Sequence, residues 1–169
     1  MKSLTTERLR LRAYTLEDAP FIHKLMNSEG WLKYIGDRDI HSVADAEAYI
    51  EKHYLSSYVT HGFGAFIVEL KATGQSIGSS GLYKREQFEH PDIGFAFLPD
   101  YFNMGYAYEA VSATMDFARN DLDFDTILGI TLPKNHSSIK LLNKLGLKEV
   151  DRVKIKEDDE ELLLFSTKS

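Results

Sequence analysis

The chain has 169 residues and no cysteine, enough for one domain with a substantial core but with no disulfide framework and no Cys-ligated zinc. Apolar residues make up 43% and charged residues 27%, which is ordinary for a globular protein. The net charge of −6 argues against nucleic acid as the main partner, because phosphate-backbone binding needs a basic footprint, and it suits a cationic substrate.

No apolar run approaches the roughly 18 residues that span a bilayer, so no membrane association is expected. The opening MKSLTTERLRLRAY lacks the apolar stretch of a signal peptide, which together with the absence of cysteine suits a cytoplasmic location. Without internal repeats or Gly/Ser/Pro-rich linkers, residues 1–169 are expected to form a single domain.

In chain order, residues 8–13 (RLRLRA) alternate polar and apolar like a half-buried strand. Thr15 and Asp18 have the spacing of a capping box, opening a helix that carries Ala19, Ile22, Leu25 and Met26 on one face and ends near Asn27–Gly30. After a loop containing Trp31, Tyr34 and Gly36, Ser42 opens a second helix, VADAEAYIEKHYLSSYV.

The period then changes. Phe63–Leu70 and Gln75–Tyr83 read as strands of a hairpin turning at Lys71-Ala72-Thr73-Gly74, and Asp92–Leu98 as a third strand. A helix begins near Gly105, Asp125–Leu132 is a strand, and Ser137–Leu145 is a helix with Gly146 as its stop. Two strands near 147–155 and 161–167, joined by a solvated KEDDEE loop, complete a mixed α/β (α+β) order, β-α-α-β-β-β-α-β-α-β-β.

Two segments carry chemistry. In FLPDYFNMGYAYEA (97–110) a strand gives way to a turn, a bare glycine and a helix. The first N–H groups of a helix lack internal partners and its dipole favours negative charge, so such a joint can cradle a phosphate. Read alone, Gly105 also fits a plain strand–turn–helix connection. The second segment, ITLPKNHSSIKLLNKLGL (130–147), places Asn135 just before a helix, where it can cap backbone or reach a ligand, and Ser138 in the first turn. Ile139, Leu142 and Leu145 form its apolar stripe, and residues 134–148 hold four lysines and no acidic residue.

Together these segments resemble the GNAT superfamily of acyl-CoA-dependent N-acetyltransferases, and most of all its RimJ/RimL-like branch, named for enzymes that acetylate N-termini of ribosomal proteins. The family's pyrophosphate loop, Arg/Gln-x-x-Gly-x-Gly/Ala, is matched by Phe102-Asn103-Met104-Gly105-Tyr106-Ala107. The branch motifs are matched by DIGF (92–95), PDYFNMGYAYEA (99–110) and NHSSIKLLNKLGL (135–147). TERLRLRAYTLED and ELLLFS extend the likeness over nearly the whole chain.

The resemblance implies the GNAT fold, acetyl-CoA as co-substrate, no metal, and an amine acceptor (a peptide N-terminus or a small molecule). It implies that Phe97 and Leu98 flank the thioester and pantetheine. Asn103, Met104, Gly105, Tyr106, Ala107 and Tyr108 would wrap the pyrophosphate, with Asn135, Ser138 and Lys140 nearby. An N–H near Leu98 would stabilise the oxyanion, Ser138 would bond the thiolate, and Asp92 would act as base. Glu29, Trp31, Tyr34, His41 and Tyr83 are the expected acceptor-side residues.

Three features depart from the pattern. Phe102, Asn103 and Met104 replace residues that are often cationic, amide or glycine. Leu142 stands where many members carry a general-acid tyrosine, and Asp92 equally fits a solvated strand start. The six histidines show no metal-binding spacing. A non-catalytic acyl-CoA sensor and a general phosphate-binding domain stay open as alternatives, as does the choice of monomer or homodimer.

Overall fold

A computed structural model describes residues 1–168. Its centre is an eight-stranded sheet: β1 (Leu4–Thr5), β2 (Leu9–Ala13), β3 (Ala65–Leu70), β4 (Ser76–Tyr83), β5 (Asp92–Phe97), β6 (Leu128–Thr131), β7 (Lys148–Val153) and β8 (Leu162–Ser166). The spatial order is β1-β2-β3-β4-β5-β6-β8-β7. All neighbours are antiparallel except β5 and β6, which are parallel. Both expected hairpins form, with strands shorter than read by a residue or two at their ends, and β1 is an additional two-residue strand pairing Leu4 with Leu11.

Helices cover both faces. On one side lie α1 (Ala19–Met26), α2 (Glu29–Tyr34), and a run made of α3 (Val43–Tyr49), a π-helical stretch (Ile50–Leu55) and α4 (Ser56–His61). The Ser42 hydroxyl starts that run by accepting the Asp45 N–H at 3.0 Å. The other side carries α5 (Tyr106–Asn120) and α6 (His136–Lys144).

Period-2 alternation divides the side chains accordingly. Leu9, Leu11, Phe66 and Val68 meet Val111 and Met115 of α5, while Ala65 and Ile67 meet Ile22, Leu25, Trp31 and Ile50. At the first helix the Thr15 N–H donates to Asp18 Oδ2 at 2.8 Å, one half of the expected capping pair. The Asp18 carboxylate is also gripped at both oxygens by Arg12, at 2.8 and 2.9 Å, which fastens the helical layer to β2. Among the described residues no helix is long and apolar enough to cross a membrane.

Candidate active site

The parallel pair β5–β6 stays together over only part of its length. Pairing is confined to Asp92 with Leu128 and Ile93 with Gly129, and beyond Ile93 the strands separate. Hydrogen-bond alternation then decides which groups face the gap. Leu98 N–H donates to Ile77 O on β4 at 2.9 Å, whereas Leu128 N–H reaches Pro91 O from the β6 side at 2.9 Å. Odd-numbered residues of β5 therefore turn their backbone toward β6, leaving Phe95 and Phe97 with polar groups on an open edge. This corrects one expectation: the Leu98 N–H is committed to the sheet, and the available donor next to it is that of Phe97.

Both crossover helices start at the carboxyl ends of this pair, the usual place for ligands in α/β sheets. At the end of β5 the chain turns through Asn103 (φ 61°) and Gly105 (φ 81°) before α5. Asparagine is among the few residues that tolerate this left-handed region, and glycine enters it without strain. The N–H groups of Tyr106, Ala107 and Tyr108 then begin α5 without intrahelical acceptors. Phe102 leaves the turn, its ring packing 3.4 Å from where a Cβ on Gly30 of α2 would stand. Met104 is half exposed.

At the end of β6, Asn135 caps α6, its Oδ1 accepting the Ser138 N–H at 3.2 Å. Ser138 is buried at 9% exposure in that first turn. The last residue of α6 reaches the first turn of α5, with Lys144 Nζ lying 4.1 Å above the Tyr108 ring. Lys140 is exposed on α6. Leu142 is buried against Gly129, its Cδ2 2.9 Å from where a Cβ there would stand, so this position belongs to the core.

On the face of β5 covered by α1–α4 sits Asp92. Its exposure of 1% removes the solvated reading. Arg85, unmarked in the sequence, donates from Nε to Asp92 Oδ1 at 2.9 Å. Desolvation pushes the carboxyl up, the Arg85 ion pair pulls it back, and it stays at about 6. Tyr83 is opposite Asp92 in register, and its ring lies across Gly94, 2.7 Å from where a Cβ would be. Burial raises its phenol well above the ordinary range.

The other expected acceptor residues do not converge there. Trp31 is packed into the helical core with its indole N–H unpartnered. Glu29 is exposed and Tyr34 is half-buried beside Lys33. His41 lies out in solvent, 3.7 Å from Asp39. Sequence reading also missed Tyr14, which stacks on Tyr54 at 4.7 Å beneath the π-helical stretch; their spacing of forty residues carries no local signal.

The sequence model of the acetyltransferase (GNAT) domain matches residues 8–148. The chain belongs to the GNAT acetyltransferase family. It is 29% identical over 151 residues to an uncharacterised N-acetyltransferase, p20, of Bacillus licheniformis, covering 88% of this chain and 84% of that protein. Among solved structures it is similar to an acetyltransferase of Agrobacterium tumefaciens, with a TM-score of 0.82, 26% identity, and coverage of 98% and 94%. RimL, a ribosomal alpha-N-protein acetyltransferase in complex with coenzyme A, shares the fold at a TM-score of 0.83 and 12% identity, with coverage of 98% and 97%.

GNAT acetyltransferases use acetyl-CoA. The residues present fit it: a positive-φ turn with unpartnered N–H groups suits the diphosphate, and the open β5 edge suits an arm carrying amides. Among the described residues no three His, Cys, Asp or Glu side chains gather as a metal site.

Proposed function

We propose that the protein transfers an acetyl group from acetyl-CoA to a primary amine, a protein N-terminus or a small amine, by direct attack with both substrates bound. The observation that carries this reading is the buried Asp92 on β5, three and five residues from the open-edge N–H groups of Phe95 and Phe97.

Acetyl-CoA, when bound, supplies the activated acyl group. Asn103 to Tyr108 hold the diphosphate through backbone N–H groups and the dipole of α5. Phe95 and Phe97 pair with the pantetheine amides, and one of their N–H groups donates to the thioester carbonyl where negative charge develops. Ser138 donates its hydroxyl hydrogen to the departing sulfur, whose thiol has an ordinary pKa of about 8.5.

Asp92 takes the proton from the attacking amine, directly or through a water. A carboxyl at about 6 is ionised at neutral pH, yet basic enough to be useful there. An α-amine of pKa about 7.7–8.0 is roughly a tenth neutral at pH 7, and a lysine amine near 10.4 is neutral in fewer than about one molecule in a thousand. A mild base such as Asp92 therefore matches an α-amine better than a lysine side chain.

Leu142 gives a specific ground for a second reading, a non-catalytic acyl-CoA sensor, because its burial puts a core residue where many GNAT proteins carry an acidic phenol. Thiol release from acetyl-CoA, followed with a panel of peptides and small amines, separates the two. Turnover on a free amine supports the enzyme, and tight acetyl-CoA binding with no turnover on any acceptor supports the sensor.

A further inference from the structure

The side chains of the Phe102-Asn103-Met104 turn carry no charge, yet a cation sits directly behind it. Arg8, at the start of β2, donates from Nη1 to the carbonyl of Met104 at 3.0 Å. Its guanidinium lies over the Tyr106 ring at 4.3 Å, and its Nη2 is 3.3 Å from where a Cβ on Gly105 would stand. Glu109, in the first turn of α5, accepts Arg8 Nε at 2.8 Å, the Arg8 backbone N–H at 2.8 Å and the Thr6 hydroxyl at 2.5 Å. We propose that Arg8 and Glu109 form a brace that locks the Met104–Gly105 turn in its anion-receiving geometry, making Arg8 a positioning residue for the diphosphate of acetyl-CoA. This rests on the reading that the turn holds that diphosphate.

The peptide group supplies the reason. A trans peptide is planar, with its C=O and N–H pointing in opposite directions. Fixing the Met104 carbonyl on Arg8 therefore fixes the Gly105 N–H on the side away from Arg8. Without that bond, a turn containing two left-handed residues and exposed from Phe102 to Gly105 has little to hold it.

The brace also disposes of an unfavourable charge. A carboxylate in the first turn of a helix competes with a bound anion for the same N-terminal field. Burial pushes the Glu109 carboxyl up, but hydrogen bonds from Thr6 and Arg8 outweigh it and hold the group below its ordinary value. Glu109 thus stays ionised, and its charge is taken up by Arg8 and Thr6, not directed at the ligand. Arg8 in turn is neutralised by Glu109, which is why its role is to position backbone and not to bind phosphate.

Calorimetry with coenzyme A and with pantetheine, which lacks the diphosphate, tests this on the wild type, Arg8→Ala and Arg8→Lys. Loss of charge-assisted hydrogen bonds predicts that Arg8→Ala weakens coenzyme A by about tenfold and leaves pantetheine unchanged. Arg8→Lys, which keeps the ion pair but cannot also reach Met104, is expected to weaken coenzyme A by about threefold. Amide exchange at Gly105–Tyr108 in the free protein should be faster in Arg8→Ala.

Coenzyme A affinity within twofold of wild type in both variants overturns the brace and leaves the diphosphate reading intact, as does an equal loss for the two ligands. A wild type that binds pantetheine as well as coenzyme A overturns the diphosphate reading and the brace with it. If Arg8→Ala does not fold, the Lys variant alone decides between these outcomes.

Discussion

Arg85 Nε lies 2.9 Å from Asp92 Oδ1, joining the two ends of the loop that connects β4 to β5. The pair is asymmetric: the carboxylate is 1% exposed and the guanidinium side chain 34%. Arg85 therefore keeps solvent contact while its partner bears the desolvation. The groups facing the carboxylate are Arg85 and Lys84 from this loop and Tyr83 from β4. Replacing Arg85 by Gln removes the two largest effects that oppose desolvation, so the Asp92 pKa should rise above its present value of about 6. The acid limb of kcat/KM for the amine should then move to higher pH; an unmoved limb would separate Arg85 from the mechanism.

The pH dependence set by Asp92 has two stages. For an α-amine of pKa about 7.7–8.0, log kcat/KM should rise with a slope near two below about pH 6, near one between there and 8, and then level off. Asp92→Asn should remove the steeper part and keep the amine's own ionisation. Because the folded-state pKa is raised, the carboxyl's contribution to stability is full below its ordinary value of 3.8 and is lost as pH rises through about 6. Thermal unfolding of wild type minus Asp92→Asn, followed from pH 4 to 7, should fall accordingly.

Gly105→Ala should weaken coenzyme A and destabilise the fold by about 1–2 kcal/mol, the cost of a left-handed non-glycine residue. The new methyl would stand 3.3 Å from Arg8 Nη2, so the Arg8 contact to Met104 must shift as well. Retention of wild-type affinity in this variant would remove Gly105 from the cradle.

Ser138→Ala should lower kcat by about tenfold, the effect of losing one modest hydrogen bond to developing charge, with acetyl-CoA affinity nearly unchanged. Ser138 lends its backbone N–H, not its side chain, to the Asn135 cap, so the helix start should survive. An unchanged kcat removes the hydroxyl from the mechanism.

Leu142→Tyr, offered as a restored general acid, should fail. Leu142 already presses on Gly129, and a larger ring there overpacks the core at a cost of about 1–3 kcal/mol. Lower thermal stability with no gain in kcat is the expected result, whereas a faster, equally stable enzyme would place position 142 at the reacting sulfur.

What was legible in the sequence follows from how local each cause is. Asn103, Gly105, Ser42 and Asn135 announce their turns and caps because the reason lies within three residues of each. The chain order of the elements around β5 was readable from alternation and spacing. The Arg8 contacts to Met104 and Glu109 span 96 and 101 residues, and no local pattern records them. Arg85 is only seven residues from Asp92, but they meet only once β4 and β5 pair. Which N–H near Leu98 is free could not be read for a related reason: which N–H groups face a gap depends on hydrogen-bond parity across the sheet. Trp31 illustrates the opposite error, a large aromatic near a loop that the helical layer absorbs into its core.

The most direct measurement is thiol release from acetyl-CoA with a peptide bearing a free N-terminus, paired with mass analysis of the peptide and repeated on the same peptide with its N-terminus blocked. The account predicts release that needs the free amine, with one acetylated peptide formed per thiol and a rate sharply reduced in Asp92→Asn. Acetyl-CoA bound tightly but never turned over, on this peptide or any small amine, would contradict it.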